Sequence, residues 1–145
     1  MTGLYSFAVK VWHPFRDAAE IATKLGMVAT HSHVAGSARA TPAGRPLDGS
    51  YAESYCCFYI AVPQEQSLDV SLRKANVFLA RDRVFVQRLR VEGARLVYSI
   101  SFQPGYAEES LDPEVLGAVA SLGFELSLSV HDVQQKSGRR VENTL

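Results

Sequence analysis

The residue pattern predicts an α+β domain: a four-stranded, mainly antiparallel sheet with helices on one face, in ferredoxin-like order with an extra helix. Three observations carry this reading. Three short segments alternate apolar and polar residues at the period of a half-buried strand, and a fourth is apolar on both faces. Between them, apolar residues recur three and four apart, the period of an amphipathic helix. Glycines and prolines stand where these segments end.

Residues 4–12 form the first strand, with Tyr5, Phe7, Val9 and Val11 on one face and Ser6, Ala8 and Lys10 on the other. Pro14 suits the first turn of a helix, where a missing N–H costs nothing. Phe15, Ala18, Ile21, Ala22 and Leu25 then keep helical spacing, and Gly26 supplies a left-handed cap, predicting a helix over 14–25. Residues 27–53 are irregular, broken by Gly36, Pro42, Gly44, Pro46 and Gly49. Long loops of this kind often carry function, and this one bears His31, His33, Arg39 and Arg45.

Residues 54–62 are apolar on both faces, with Tyr55, Cys57 and Tyr59 on one and Cys56, Phe58 and Ile60 on the other. This predicts a central strand covered on both sides. Ser67 caps the next helix, whose stripe is Leu68, Leu72, Ala75 and Leu79. Over 82–92, the Phe85–Leu89 spacing and the terminating Gly93 favour helix over strand. Residues 95–102 alternate Leu96, Tyr98, Ile100 and Phe102 with Arg95, Val97, Ser99 and Ser101. Asp112 caps a helix beginning at Pro113, with Val115, Leu116, Val119 and Leu122 buried and Gly123 as its stop. Phe124, Leu126, Leu128 and Val130 face the core from the fourth strand, alternating with Glu125, Ser127, Ser129 and His131. Residues 1–132 read as one domain, followed by a polar tail over 133–145 that frays.

Fifteen basic and fifteen acidic side chains cancel, which disfavours nucleic acid as a partner. No apolar run reaches the roughly 20 residues of a membrane helix. Residues 1–5 lack the pattern of a signal peptide, so a cytoplasmic location with reduced thiols is expected. The two cysteines, Cys56 and Cys57, are neighbours on a strand and point to opposite faces, so they are poorly placed to bridge.

The run over 5–14, the helix ending at Leu25-Gly26, the segment 41–47 and the helix–strand unit beginning at 111–123 together resemble a bacterial family, domain of unknown function 4279. The resemblance spans about residues 4–132. It implies a small bacterial α+β domain and brings no catalytic residues. Members often place a tryptophan in the second strand, where this chain has Cys56, Cys57 and Phe58. Small families of this kind include immunity- and antitoxin-like proteins, which points by analogy to protein binding.

Motifs for catalysis are weak. His31-x-His33 on a strand would put both rings on one face, a spacing that can grip zinc, but zinc motifs normally pair two such clusters, so no metal or cofactor is expected. Both cysteines lie mid-strand in apolar company, away from any helix start that would activate a thiol. Gly44-Arg45-Pro46 lacks the Lys-Ser/Thr ending of a phosphate loop, and no Gly-x-Ser-x-Gly elbow occurs. Glu108, Glu109 and Asp112 read as a solvated loop and a cap. Arg81, Arg83, Arg88, Arg90 and Arg95 read as a solvated basic strip that could also meet an acidic partner or a phosphate.

The polar face of the sheet is the stronger pointer. Ser6, Lys10, Ser99, Ser101, Glu125, Ser127, Ser129 and His131 share it, and its aromatic candidates are Tyr55 and Tyr59, too few strands for RNA stacking. The expected function is a non-catalytic binding or interaction domain, possible partners being an unknown protein or small ligand. Its candidate contacts are Lys10, His31, His33, Arg39, Arg45, Ser99, Ser101, Ser127, Ser129 and His131. The alternative is a small-molecule-binding or hydrolytic protein with a cleft between loop 31–49 and the sheet, using His31, His33, Arg39 or Arg45. A third reading is a structural homodimer.

Overall fold

The computed structural model describes residues 4–106, 108–131 and 140–145. Alternating strands and helices build one six-stranded mixed sheet and a separate two-stranded hairpin. The first strand, β1 (Tyr5–His13), is followed by α1 (Ala18–Leu25), β2 (His31–His33), β3 (Ala38–Ala40), β4 (Pro46–Ser50) and β5 (Ser54–Ile60). Then come α2 (Leu68–Ala80), α3 (Arg83–Val91), β6 (Arg95–Phe102), α4 (Pro113–Leu122), β7 (Glu125–Val130) and β8 (Glu142–Asn143). Residues 82–92 are thus helical, with Val86 and Leu89 buried.

The sheet runs β2-β5-β1-β6-β7, with β8 also on β5. This corrects the ferredoxin-like order. β1 is antiparallel to both neighbours, β5 and β6, whereas β6 and β7 are parallel. The 27–53 excursion returns the chain antiparallel beside β1 instead of crossing over it, so the split βαβ arrangement does not form. That excursion is not irregular either. β2 pairs with β5, and β3 pairs with β4 around the turn where Gly44 N–H donates to Thr41 O at 2.8 Å. Every residue of β3 and of β4 is exposed, so the hairpin stands off the sheet as an arm.

All four helices lie on one face. Tyr5, Phe7, Val9, Val11, Cys56, Phe58, Ile60, Leu96, Tyr98 and Ile100 pack there with the stripes of α1, α2, α3 and α4 in a single core. The cap signals act locally. Ser67 and Asp112 accept N–H groups of the first turns of α2 and α4, and Gly26 and Gly123 adopt φ of 72° and 83°. At Gly123 any Cβ would also collide with the Arg90 side chain that lies across it.

Three expectations need correction. The first helix starts at Ala18, capped by Asp17, because the His13 ring takes the N–H groups of Phe15 and Arg16 and holds a turn there. Phe15 consequently lies exposed against that ring and not in the helical stripe. Leu116, Leu128 and Val130 are exposed, at 42%, 56% and 66%, because β7 is the last strand of the sheet. Finally, the described end of the tail does not fray. β8 pairs with β5, and the Asn143 side chain accepts from Val28 N–H at 2.8 Å and donates to the carbonyls of Val28 and Tyr59, both at 3.0 Å. The expected frayed stretch over 134–139 lies outside the described residues.

Candidate partner-binding face

No described helix or strand packs on the sheet face opposite the core. The register puts one set of side chains there from every main strand: His31 and His33 from β2; Tyr55, Cys57 and Tyr59 from β5; Ser6, Ala8, Lys10 and Trp12 from β1; Arg95, Val97, Ser99 and Ser101 from β6; and Glu125, Ser127 and Ser129 from β7. Ala8, Cys57 and Val97 are buried and form its floor. Lys10 stands at the centre, in register with Cys57 and Val97.

The face has two halves. At one end, Ser101 and Ser129 meet Oγ to Oγ at 3.0 Å, with Ser6, Ser99 and Ser127 around them. At the other end a row crosses four strands in register, His33, Tyr55, Trp12 and Arg95, and Arg95 reaches diagonally to Glu125 of β7, which is itself in register with Val97. Tyr51, just beyond β4, stacks on His33 with ring centroids 3.6 Å apart and 7° between planes. His33 meets Tyr55 at 5.6 Å, Tyr55 meets Trp12 at 5.0 Å, and the Arg95 guanidinium sits 5.1 Å above the Trp12 ring. Glu125 accepts from Arg95 Nε and Nη2 at 2.9–3.1 Å and so fixes the guanidinium over the indole. Cross-strand neighbours of this kind stabilise a sheet pair by pair. The row also ties the root of the β3–β4 arm to the sheet through Tyr51.

Burial holds the His33 imidazole below its usual value. Burial likewise pushes the Tyr55 phenol up. His31 lies edge-on to Tyr59 at 6.1 Å, and Arg140 covers the same tyrosine ring at 4.3 Å. His31 and His33 therefore spend their rings on different tyrosines, and no third His, Cys, Asp or Glu joins them as a metal-binding group among the described residues.

The expected contacts are only partly brought together. Lys10, Ser99, Ser101, Ser127 and Ser129 share the face with His31 and His33, and His131 follows β7 as an exposed side chain. Arg39 and Arg45 stand off it on the arm, where Arg39 Nη1 donates to Asp48 O at 3.3 Å. Two hollows are described, and neither lies between the arm and the sheet. The larger, of about 520 Å³, gathers Arg81, Arg83 and Arg88 with Lys24 and Phe85 on the helical side. Arg95 departs from that strip to the sheet face. Trp12, Tyr51 and Arg95 are the face residues that reading by composition passed over. Alternation past Lys10 already assigns Trp12 to this side.

The site that most resembles catalytic machinery is closed. His13 is fully buried at the end of β1. Its Nδ1 accepts two backbone N–H groups, so Nε2 carries the proton and donates to Glu92 Oε1 at 2.9 Å. Arg16 grips the same carboxylate through Nε and Nη2, at 2.5 and 2.9 Å. The Arg16 and His13 hydrogen bonds hold the Glu92 carboxyl down at about 2. Cys56 and Cys57 are free and buried; burial pushes the Cys56 thiol up to about 12, and its Sγ donates to Ala18 O at 3.4 Å. Among the described helices, none is long and apolar enough to cross a membrane.

Comparison with known protein families, curated proteins and solved structures finds no match to this chain.

Proposed function

We propose that this chain is a non-catalytic binding domain that holds a protein partner on the uncovered sheet face, in the manner of immunity- and antitoxin-like proteins. The observation that carries this is the row Tyr51–His33–Tyr55–Trp12–Arg95 on a face that no described element covers. Tryptophan, tyrosine and arginine are the residues that dominate protein interfaces; here the tryptophan and tyrosines are half-buried, the exposed arginine is held over Trp12 by Glu125, and small hydroxyls fill the other half of the face. The rings face one another, which leaves little ring face for stacked bases, and the net charge of zero supplies no phosphate attraction. The buried His13 and the un-ionised Cys56 thiol support binding over catalysis. A cytoplasmic location and kinship with domain of unknown function 4279 belong to the same proposal.

Trp12 is the chain's one tryptophan, so its emission reports on this face. A protein captured by the full chain from its source cells should shield Trp12 from acrylamide quenching. Trp12→Ala and Ser99→Arg should each weaken that complex at least about 30-fold, the size of a central hot spot. A complex that leaves quenching unchanged and tolerates both variants contradicts the proposal.

A further inference from the structure

The two edges of the sheet are treated differently. Along the outer edge of β5, β2 pairs with Tyr55 and Cys57 and β8 pairs with Tyr59 and Ile60, so two short strands share and close it. The outer edge of β7 has no strand partner among the described residues. It also lacks the usual protections: the strand reads Glu-Leu-Ser-Leu-Ser-Val, with no proline, no lysine and no break in its register with β6. Its apolar residues Leu128 and Val130 are exposed, as is Leu116 on α4, the helix that leads into it.

We propose that β7 pairs antiparallel with β7 of a second copy of this chain, joining two sheets into one about a two-fold axis at Leu128. The backbone supports this register. His131 N–H donates to Phe102 O at 3.1 Å, so by the alternation of a parallel ladder the odd-numbered residues point their backbone groups at β6. Leu126, Leu128 and Val130 then point theirs outward. With the axis at Leu128, each outward residue meets another outward residue: Leu128 its own mate, and Leu126 the partner's Val130. Those are hydrogen-bonded pairs of an antiparallel ladder.

The side chains agree with the same register. On the helix side Leu128 faces Leu128 and Leu126 faces Val130, which covers the apolar surface left in solvent. On the open side Ser127 faces Ser129, and Glu125 faces His131 in place of a like charge. An interface of this kind is isologous and closes at two copies. It sets the two serine halves side by side at the centre of a doubled face, with the aromatic rows at its outer ends. This inference stands apart from the identity of any partner on that face.

Sedimentation equilibrium of the full chain tests it. The expected mass is twice 15.9 kDa, falling to 15.9 kDa in Leu128→Lys, which places two cations opposite each other on the axis. The circular dichroism of that variant should be unchanged, because Leu128 is exposed. A mixture of Ser127→Cys and Ser129→Cys chains should form a disulfide-linked dimer on mild oxidation, whereas each variant alone should not. These serine exchanges preserve volume and exposure, so they test the register even if the lysine variant misfolds. A wild-type chain that stays at 15.9 kDa at all concentrations overturns the inference. So does a dimer that survives Leu128→Lys, or a cysteine mixture that gives no linked product.

Discussion

Arg16–Glu92 and Arg95–Glu125 are the same chemical pair in two settings. The first sits beside the fully buried His13 and joins the end of β1 to the end of α3. The second lies on the open sheet face with both side chains more than half exposed, and its guanidinium rests on Trp12. Around the first pair, losing His13 strands the part-buried N–H groups of Phe15 and Arg16. Around the second, losing a partner hands polar groups back to water. The difference separates a covered side held together by packing from the open side on which the proposed function places a partner, and it can be broken one residue at a time.

The largest effect belongs to the covered side. Leu72 is fully buried between α2 and the sheet, so Leu72→Ala should cost about 2–5 kcal/mol by chemical denaturation. His13→Ala should follow at about 1–3 kcal/mol, because it leaves the Phe15 and Arg16 N–H groups without their acceptor.

The acid limb sharpens the contrast. Glu92 ionises near 2 in the fold and near 4.5 when unfolded, so its contribution is fully present above 4.5 and disappears as pH falls toward 2. Glu92→Gln should lower stability at neutral pH and flatten the loss between pH 4.5 and 2. A variant whose acid unfolding matches the wild type would remove Glu92 from the account.

On the open side the stability cost should be small. Trp12→Ala gives up cross-strand contacts with Tyr55 and Arg95 and should cost about 1 kcal/mol, while abolishing most partner binding. An unfolding midpoint that falls as far as in Leu72→Ala would make Trp12 a core residue and not a contact.

Much of the covered side was legible in the sequence because its signals are local. Ser67, Asp112, Gly26 and Gly123 act within a turn of their own helices, and the stripe Leu68, Leu72, Ala75, Leu79 needs only the helical period. The alternation of β6 likewise separated Leu96 and Tyr98 from Ser99 and Ser101. What was not legible depends on distant pairing. β2 and β8 are three and two residues long, too short to show a period, and they become strands only because β5 offers them an edge. The sheet order is set by where the 27–53 excursion returns, which no local window contains. The row across the open face was hidden for the same reason. Each member sits alone in its own strand, and only the register aligns His33, Tyr55, Trp12 and Arg95.

Hydroxyl-radical footprinting of the full chain, free and bound to its captured partner, tests the central claim most directly. Oxidation of Trp12, Tyr51 and Tyr55 should fall on binding, while exposed Phe15, outside the sheet face, should be oxidised equally in both states. Protection of Phe15 and of Phe85 beside the basic hollow, with Trp12 and Tyr55 unchanged, would move the partner to the helical side and contradict the account.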